Sequence, residues 1–219
     1  MRGVAMGLIL AAVLTAAEPP KVIRHFVVHR EAGRFGGWPA NHGIWSWGDE
    51  IVVGFELGYF QERATGHAID YTRPAEHVLA RSLDGGETWT LERPAGLRPP
   101  PREKVAGVPT GGQGREPVDC PGGIDFTHPD FAFTARMTSI HAGNSRFYYS
   151  YDRGKSWQGP FQLPNFGQPG IAARTDYLVN GKHDCTLFLT AAKSNEREGR
   201  VICVRTRDGG KTWNFISFI

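Results

Sequence analysis

One short motif occurs three times and constrains this chain more than anything else in it. The copies are Ser82-Leu83-Asp84-Gly85-Gly86-Glu87-Thr88-Trp89, Ser150-Tyr151-Asp152-Arg153-Gly154-Lys155-Ser156-Trp157 and Thr206-Arg207-Asp208-Gly209-Gly210-Lys211-Thr212-Trp213. Each reads [Ser/Thr]-x-Asp-x-Gly-x-[Ser/Thr]-Trp. With the aspartates at 84, 152 and 208, the interval exceeds the ~30–47 residues of a helical solenoid repeat. It suits a four-stranded propeller blade with variable loops. The motif is chemically a self-contained hairpin turn. Its aspartate accepts hydrogen bonds from amides of its own turn, helped by the Ser or Thr two residues earlier. Gly86, Gly154 and Gly210 supply a positive φ, and the tryptophan re-enters the sheet to cover the turn. Asp84, Trp89, Asp152, Trp157, Asp208 and Trp213 are therefore structural residues.

This pattern resembles the Asp box, or bacterial neuraminidase repeat, of the sialidase-like β-propellers. The resemblance extends over residues 22–219. It implies an all-β propeller of three four-stranded antiparallel blades, about half of the six-bladed sialidase fold. It also implies an exo-sialidase type of glycoside hydrolase, seen here as its N-terminal part. The alternative is a non-catalytic Asp-box propeller that binds a glycan or a protein on the same face.

Residues 1–17 read as an export signal: Arg2 gives a positive start, Met6–Leu14 is apolar, and Thr15-Ala16-Ala17 offers small residues for cleavage. The apolar run is shorter than the ~20 residues of a membrane span. The expected location is secreted or periplasmic. Cys120, Cys185 and Cys203 are odd in number, so they do not form a fully paired framework; Cys185 and Cys203 stand in strand-like runs and could pair. No His/Cys spacing resembles a zinc site, and neither a metal nor a cofactor is expected. The net charge of +3 is spread along the chain rather than gathered in a basic stripe, which argues against nucleic acid as a partner. The expected partner is carbohydrate, sialylated or otherwise acidic.

Apolar runs place the strands. The first sheet is expected to hold a strand starting near Asn41 and running through Ile44–Trp47, then Glu50–Glu56, His77–Ser82 and a fourth from Thr88. The second is expected at Ile124–Phe126, Phe131–Arg136, Arg146–Ser150 and from Trp157. The third is expected at Arg174–Val179, Cys185–Thr190, Arg200–Arg205 and Trp213–Phe215. Antiparallel order then puts the Asp boxes at one end and the long loops, 57–76 and 94–123, at the other. Loops on a rigid scaffold carry function, so the site is sought there.

Sialidase-like enzymes hold the substrate carboxylate with arginines, whose forked guanidinium pairs bidentately. They use a tyrosine nucleophile and a carboxyl acid/base. The first family arginine falls on Gly37 of Gly37-Trp38-Pro39, so Arg34 is the nearest substitute. Glu56 stands closest to the family's acid/base position. Arg136 ends the second strand of the second sheet, and Arg174 and Asp176 open the third. The resulting candidates are Glu56 and Asp176 as catalytic carboxylates, and Arg34, Trp38, Arg136 and Arg174 for substrate. Trp38 is the candidate for stacking on a sugar, whereas the alternating Trp45 and Trp47 are assigned to the core. His128 and Asp130, in a short turn of the second sheet, are further candidates on this end.

Overall fold

Backbone pairing divides the chain into three antiparallel sheets in sequence order. The structure is a computed structural model and describes residues 22–98, 114–140, 143–195 and 198–219. The expected export signal and Pro99-Pro100-Pro101 lie outside the described residues. Among the described residues, no helix is long and apolar enough to cross a membrane.

The first sheet contains β1 (Arg34–Gly37), β2 (Ile44–Trp47), β3 (Glu50–Tyr59), β4 (Glu76–Ser82) and β5 (Thr90–Glu92). Strand β3 pairs with β2 along its first half and with β1 along its second. The edge beside β3 is thus one strand broken in the middle. Only Gly54 and Phe55 separate the β3 partners Val53 and Glu56, whereas residues 38–43 separate Gly37 from Ile44. The surplus is extruded as a single helical turn, α1 (Pro39–His42). Asn41, expected to start a strand, lies in this turn instead. Pro39 disfavours right-handed helical geometry in the residue before it, and Trp38 takes a left-handed φ of 54°.

The second sheet has the order β6 (Ala132–Met137), β7 (Ser145–Ser150), β8 (Gln158–Leu163). Its expected first strand at Ile124–Phe126 does not form. Those amides are used elsewhere: Gly123 and Ile124 donate to the carbonyls of Asp208 and Gly209, and Phe126 donates to that of Lys182. Asp125 N donates to the Tyr151 hydroxyl at 2.6 Å, so with these amides already paired none is left for a ladder with β6.

The third sheet holds β9 (Ile171–Ala172), β10 (Tyr177–Gly181), β11 (Asp184–Ala192), β12 (Gly199–Thr206) and β13 (Asn214–Phe218). It repeats the broken edge, since β9 and β10 both pair with β11. The expected strand Arg174–Val179 is therefore interrupted at 173–176. The sheets hold five, three and five strands rather than four each.

The two breaks meet at β6. Thr134 Oγ1 donates to the His42 carbonyl at 2.9 Å, Thr175 N donates to the Asn41 carbonyl at 3.2 Å, and Ala135 N donates to Thr175 Oγ1 at 3.1 Å. These bonds satisfy backbone groups along an edge that has no strand beside it. Apolar layers fill the spaces between sheets. Trp45, Val52, Leu79, Ala132, Tyr148 and Trp157 pack between the first and second; Phe133, Phe147, Leu187, Ile202 and Trp213 pack between the second and third. Each fully buried aliphatic or aromatic side chain contributes about 1.5–3 kcal/mol. Cys185 and Cys203 are both free thiols. Cys185 stands opposite Thr206 and Cys203 opposite Phe188. The odd offset along β11 turns them to opposite faces of the sheet.

Each Asp box begins on the last residue of a strand: Ser82 of β4, Ser150 of β7 and Thr206 of β12. In the first, Gly86 N donates to Ser82 Oγ, Thr88 N and Oγ1 donate to the Asp84 carboxylate, and Trp89 Nε1 donates to the Gly86 carbonyl. The second repeats every one of these bonds. The third keeps the Asp208 bonds, but Trp213 Nε1 is buried without a hydrogen-bond partner among the described residues. The first two boxes share an end of the molecule, because Arg153 of the second reaches Glu50 of the first sheet's hairpin at 2.6 Å. His128 and Asp130 lie at this end too, against Tyr151 and Arg153. They belong to the Asp-box end, contrary to their expected placement, because the turn holding them packs on the second box.

Replacing Asp152 by Ala removes the acceptor for this turn and should lower stability by about 1–3 kcal/mol, read as a shift of the urea midpoint. The bonds from Thr88, then that from Ser82, hold the Asp84 carboxyl down at about 2. Its stabilisation is complete above the ordinary value of 3.8 and is lost as pH falls through about 2. Thermal melts between pH 5 and pH 2 should therefore show a shallower acid dependence for Asp84→Asn than for the parent.

Candidate functional site

The face of the first sheet that looks toward the second carries Glu50, Val52, Gly54 and Glu56 on β3 and Arg81, Leu79 and His77 on β4. Its character changes along its length. At the Asp-box end, Arg81 pairs with Glu50 at 2.5 Å and with Glu92 at 2.7 Å. Burial alone would raise the Glu50 carboxyl, but Arg153 and Arg81 outweigh it and hold it below the usual value. Val52 and Leu79 form the apolar middle. At the far end Glu56 stands directly opposite His77 in the β3–β4 register.

His42 reaches this pair from α1. Gly54 permits the approach: its N–H donates to the Gly43 carbonyl at 2.9 Å, and a Cβ at Gly54 would lie 2.9 Å from His42 Cβ. The His42 and His77 rings meet edge to face, with centroids 4.6 Å apart at 85°. His42, Glu56 and His77 are 4%, 3% and 8% exposed. One nitrogen from each histidine and one Glu56 oxygen lie within 4.8 Å of one another.

Arg136 enters from β6 of the opposing sheet and is 3% exposed. Its Nε donates to His77 Nδ1 at 3.3 Å, and its Nη1 donates to the Ala135 carbonyl at 2.8 Å and to Thr134 Oγ1. Its Nη2 is buried with no hydrogen-bond partner among the described residues. Accepting the arginine proton requires a lone pair on His77 Nδ1, so a neutral His77 carries its own proton on Nε2. Burial pushes the Arg136 guanidinium down to about 10, against partial opposition from Tyr148 and Glu56. Arg146 is the cross-strand neighbour of Arg136 and is also buried, which sets two guanidinium-bearing positions side by side.

His42, Glu56, His77 and Arg136 line a cavity of about 480 Å³. Trp38 and His67 contribute to its wall, edge to face with centroids 5.1 Å apart. The cavity offers a carboxylate and three imidazoles for proton transfer or ligation, a desolvated guanidinium for an anion, and an indole for an apolar surface.

The structure brings Glu56, Trp38 and Arg136 together here. Arg34, Arg174 and Asp176 do not line this cavity. Arg34 is held by the carbonyls of Leu57 and Gly58 and by Glu76 at 2.9 Å, with its guanidinium over Tyr59. Arg174 bonds Asn41 Oδ1 and Thr190 Oγ1, both at 3.0 Å, and so ties the break in the third sheet to α1. Asp176 borders a separate cavity with Gly43, Ile44 and Tyr177. At Gly37, where the resemblance expected an arginine, a Cβ would strike the Phe35 ring. The sequence reading missed His42, His77 and His67. The signal available for His77 was its opposition to Glu56, which emerges once the two strands are paired. No comparable signal existed for His42, whose position depends on the broken edge.

The BNR/Asp-box repeat matches residues 148–158, the second of the three boxes. No curated protein matches the chain. Among solved structures, a protein of unknown function from Dyadobacter fermentans is similar at 18% identity and a TM-score of 0.58, over 89% of this chain and 57% of that one. A glycosyl hydrolase from Bacteroides ovatus is similar at 16% identity and a TM-score of 0.43, over 82% of this chain and 50% of that one. The chain thus spans about half the length of either. The Dyadobacter likeness extends the fold over most of the described residues.

Gly54→Ala should force His42 away from β3, at a cost of about 1–3 kcal/mol for overpacking. Chemical denaturation reads the stability loss, and the His42 ring resonances in NMR read the displacement. An equal loss with His42 undisturbed would mean that Gly54 serves the strand alone.

Proposed function

We propose that this chain is part of an exported Asp-box β-propeller that acts on an acidic glycan, as a sialidase-like glycoside hydrolase, in the cavity of Glu56 and Arg136. One observation carries the reading: Arg136 is buried beside Glu56 and the two histidines, with Nη2 unpartnered among the described residues. A buried guanidinium with an unused donor is costly. A sugar carboxylate would supply the missing acceptor and the opposite charge. Glu56 lies close enough to Arg136 for their charges to interact, and as the carboxyl group of the cavity it is suited to exchange a proton with a glycosidic oxygen. Trp38 on the wall suits the apolar face of a pyranose.

A second reading, a non-catalytic binder of acidic glycans, is favoured by Gly37. The Phe35 ring fills the space beside it, and the arginine that the sialidase pattern places there has no counterpart in the cavity. The two readings share the ligand and differ in turnover.

Calorimetric titration with sialic acid, glucuronic acid and galactose tests the ligand class. Acidic sugars should bind, and Arg136→Met should weaken them at least tenfold while leaving any galactose signal unchanged. Equal affinity for acidic and neutral sugars would reject the reading. With a chromogenic acidic glycoside, Glu56→Gln should lower kcat by about 10²-fold or more and retain binding. Binding with no turnover in the parent would select the non-catalytic reading.

A further inference from the structure

We propose that His42, Glu56 and His77 form a binding site for a divalent transition-metal cation of the zinc type. The inference deepens the proposed function, since it concerns the same cavity and rests on that cavity being the working site. Among the described residues, these three form the cluster in which His, Cys, Asp or Glu donor atoms converge, all within 4.8 Å. Ligands of a tetrahedral zinc at ~2.0–2.2 Å stand ~3.4 Å apart. The observed spread therefore leaves a closure of up to about 1.4 Å, within reach of side-chain rotations.

Three features favour a cation over a loose polar cluster. The donors are anchored by the backbone: Glu56 and His77 are fixed by strand register, and His42 by α1 lying over Gly54. They are all buried, so ligation is not in competition with bulk water. The donor set is two imidazoles and one carboxylate, which suits Zn²⁺ or a neighbouring transition ion. Ca²⁺ and Mg²⁺ require more oxygen ligands than these residues provide. Three protein ligands leave a coordination position toward the cavity, as catalytic rather than structural zinc sites do. The occupant of that position would be an oxygen donor: water, or a carboxylate or hydroxyl oxygen of the sugar.

Arg136 shapes the behaviour of this site. Its 3.3 Å bond to His77 Nδ1 requires an unprotonated nitrogen there, and ligation requires deprotonated donors as well. Ligation through either nitrogen would end that bond, through Nδ1 by taking the lone pair and through Nε2 by moving the ring proton to Nδ1. Two positive centres beside Glu56 alone would then favour an acidic ligand. A bound cation would hold Glu56 as a ligand, and the proton exchange assigned above to Glu56 would then fall to water polarised by the cation.

The test uses the full chain stripped with a chelator and dialysed. Zn²⁺ titration followed by elemental analysis should give one ion per chain, and Co²⁺ in its place should give the intense visible bands of a four- or five-coordinate ion. His42→Ala and Glu56→Gln should each weaken Zn²⁺ at least tenfold, while His25→Ala, in the exposed N-terminal segment, should not. Retention of less than about a tenth of an ion per chain after dialysis would overturn the inference, as would a weak octahedral Co²⁺ spectrum. Unchanged affinity in both site variants would also overturn it by placing the ion elsewhere. The Co²⁺ spectrum of the parent decides the matter even if a variant fails to fold. Glucuronic acid titrated in EDTA separates the two proposals. Acidic-sugar binding by a chain that takes up no metal overturns this inference alone. Metal binding without sugar binding supports it and rejects the glycan reading.

Discussion

The pairing of one long strand with a broken one organises this molecule. Strand β3 offers ten residues of ladder, and its neighbour tracks them only with a six-residue detour between Gly37 and Ile44. Backbone groups in that detour must still find partners. They find them in Gly54, Thr134 and Thr175, one from each sheet. The detour therefore joins the three sheets, covers the open edge of β6, and carries His42 to Glu56 and His77. The third sheet breaks its own edge strand at 173–176, and the two breaks interlock through Asn41, Arg174 and Thr175. A cavity lined by polar groups from two sheets results from that interlock.

The two ends of the first sheet treat charge in opposite ways. At the Asp-box end, Arg81 and Arg153 meet Glu50, Glu92 and Asp130 at 2.5–2.7 Å, so each charge has its counter-charge. Such pairs contribute up to about 1 kcal/mol where exposed, and their main effect is to set how the sheets meet. At the cavity end, Arg136 is buried deeply enough for its guanidinium to fall to about 10. Desolvating an ion costs several kcal/mol unless it is well paired. The apolar layer of Val52, Leu79 and Tyr148 supplies stability to offset that cost.

How much could be read from sequence depended on how local each feature is. The Asp boxes close their hydrogen bonds within eight residues, so Asp84, Asp152 and Asp208 announced their turns directly. Most strands were legible because long apolar runs such as Ile51–Phe55 and Phe147–Tyr149 are buried as continuous ladders. The strand missing at Ile124–Phe126 was not legible, because its amides are taken by Gly209, Tyr151 and Lys182, all distant in sequence. Glu56 and Arg136 could be nominated from strand ends and Trp38 from its aromatic face, yet Arg34 and Arg174, nominated beside them, went elsewhere.

The sequence by itself determined the repeat and the all-β class, since these rest on turn chemistry and on the alternation of side chains. Tertiary structure alone decided which strand-end groups face one another. Arg34 meets Glu76 and two carbonyls of its own sheet, whereas Arg136 crosses to a neighbouring sheet and meets His77. His42 joins them because a broken edge strand must send its surplus residues somewhere, and at Gly54 no side chain on β3 stands in its way. Contacts of that kind depend on register and on the gap between sheets, which no local pattern of residues encodes.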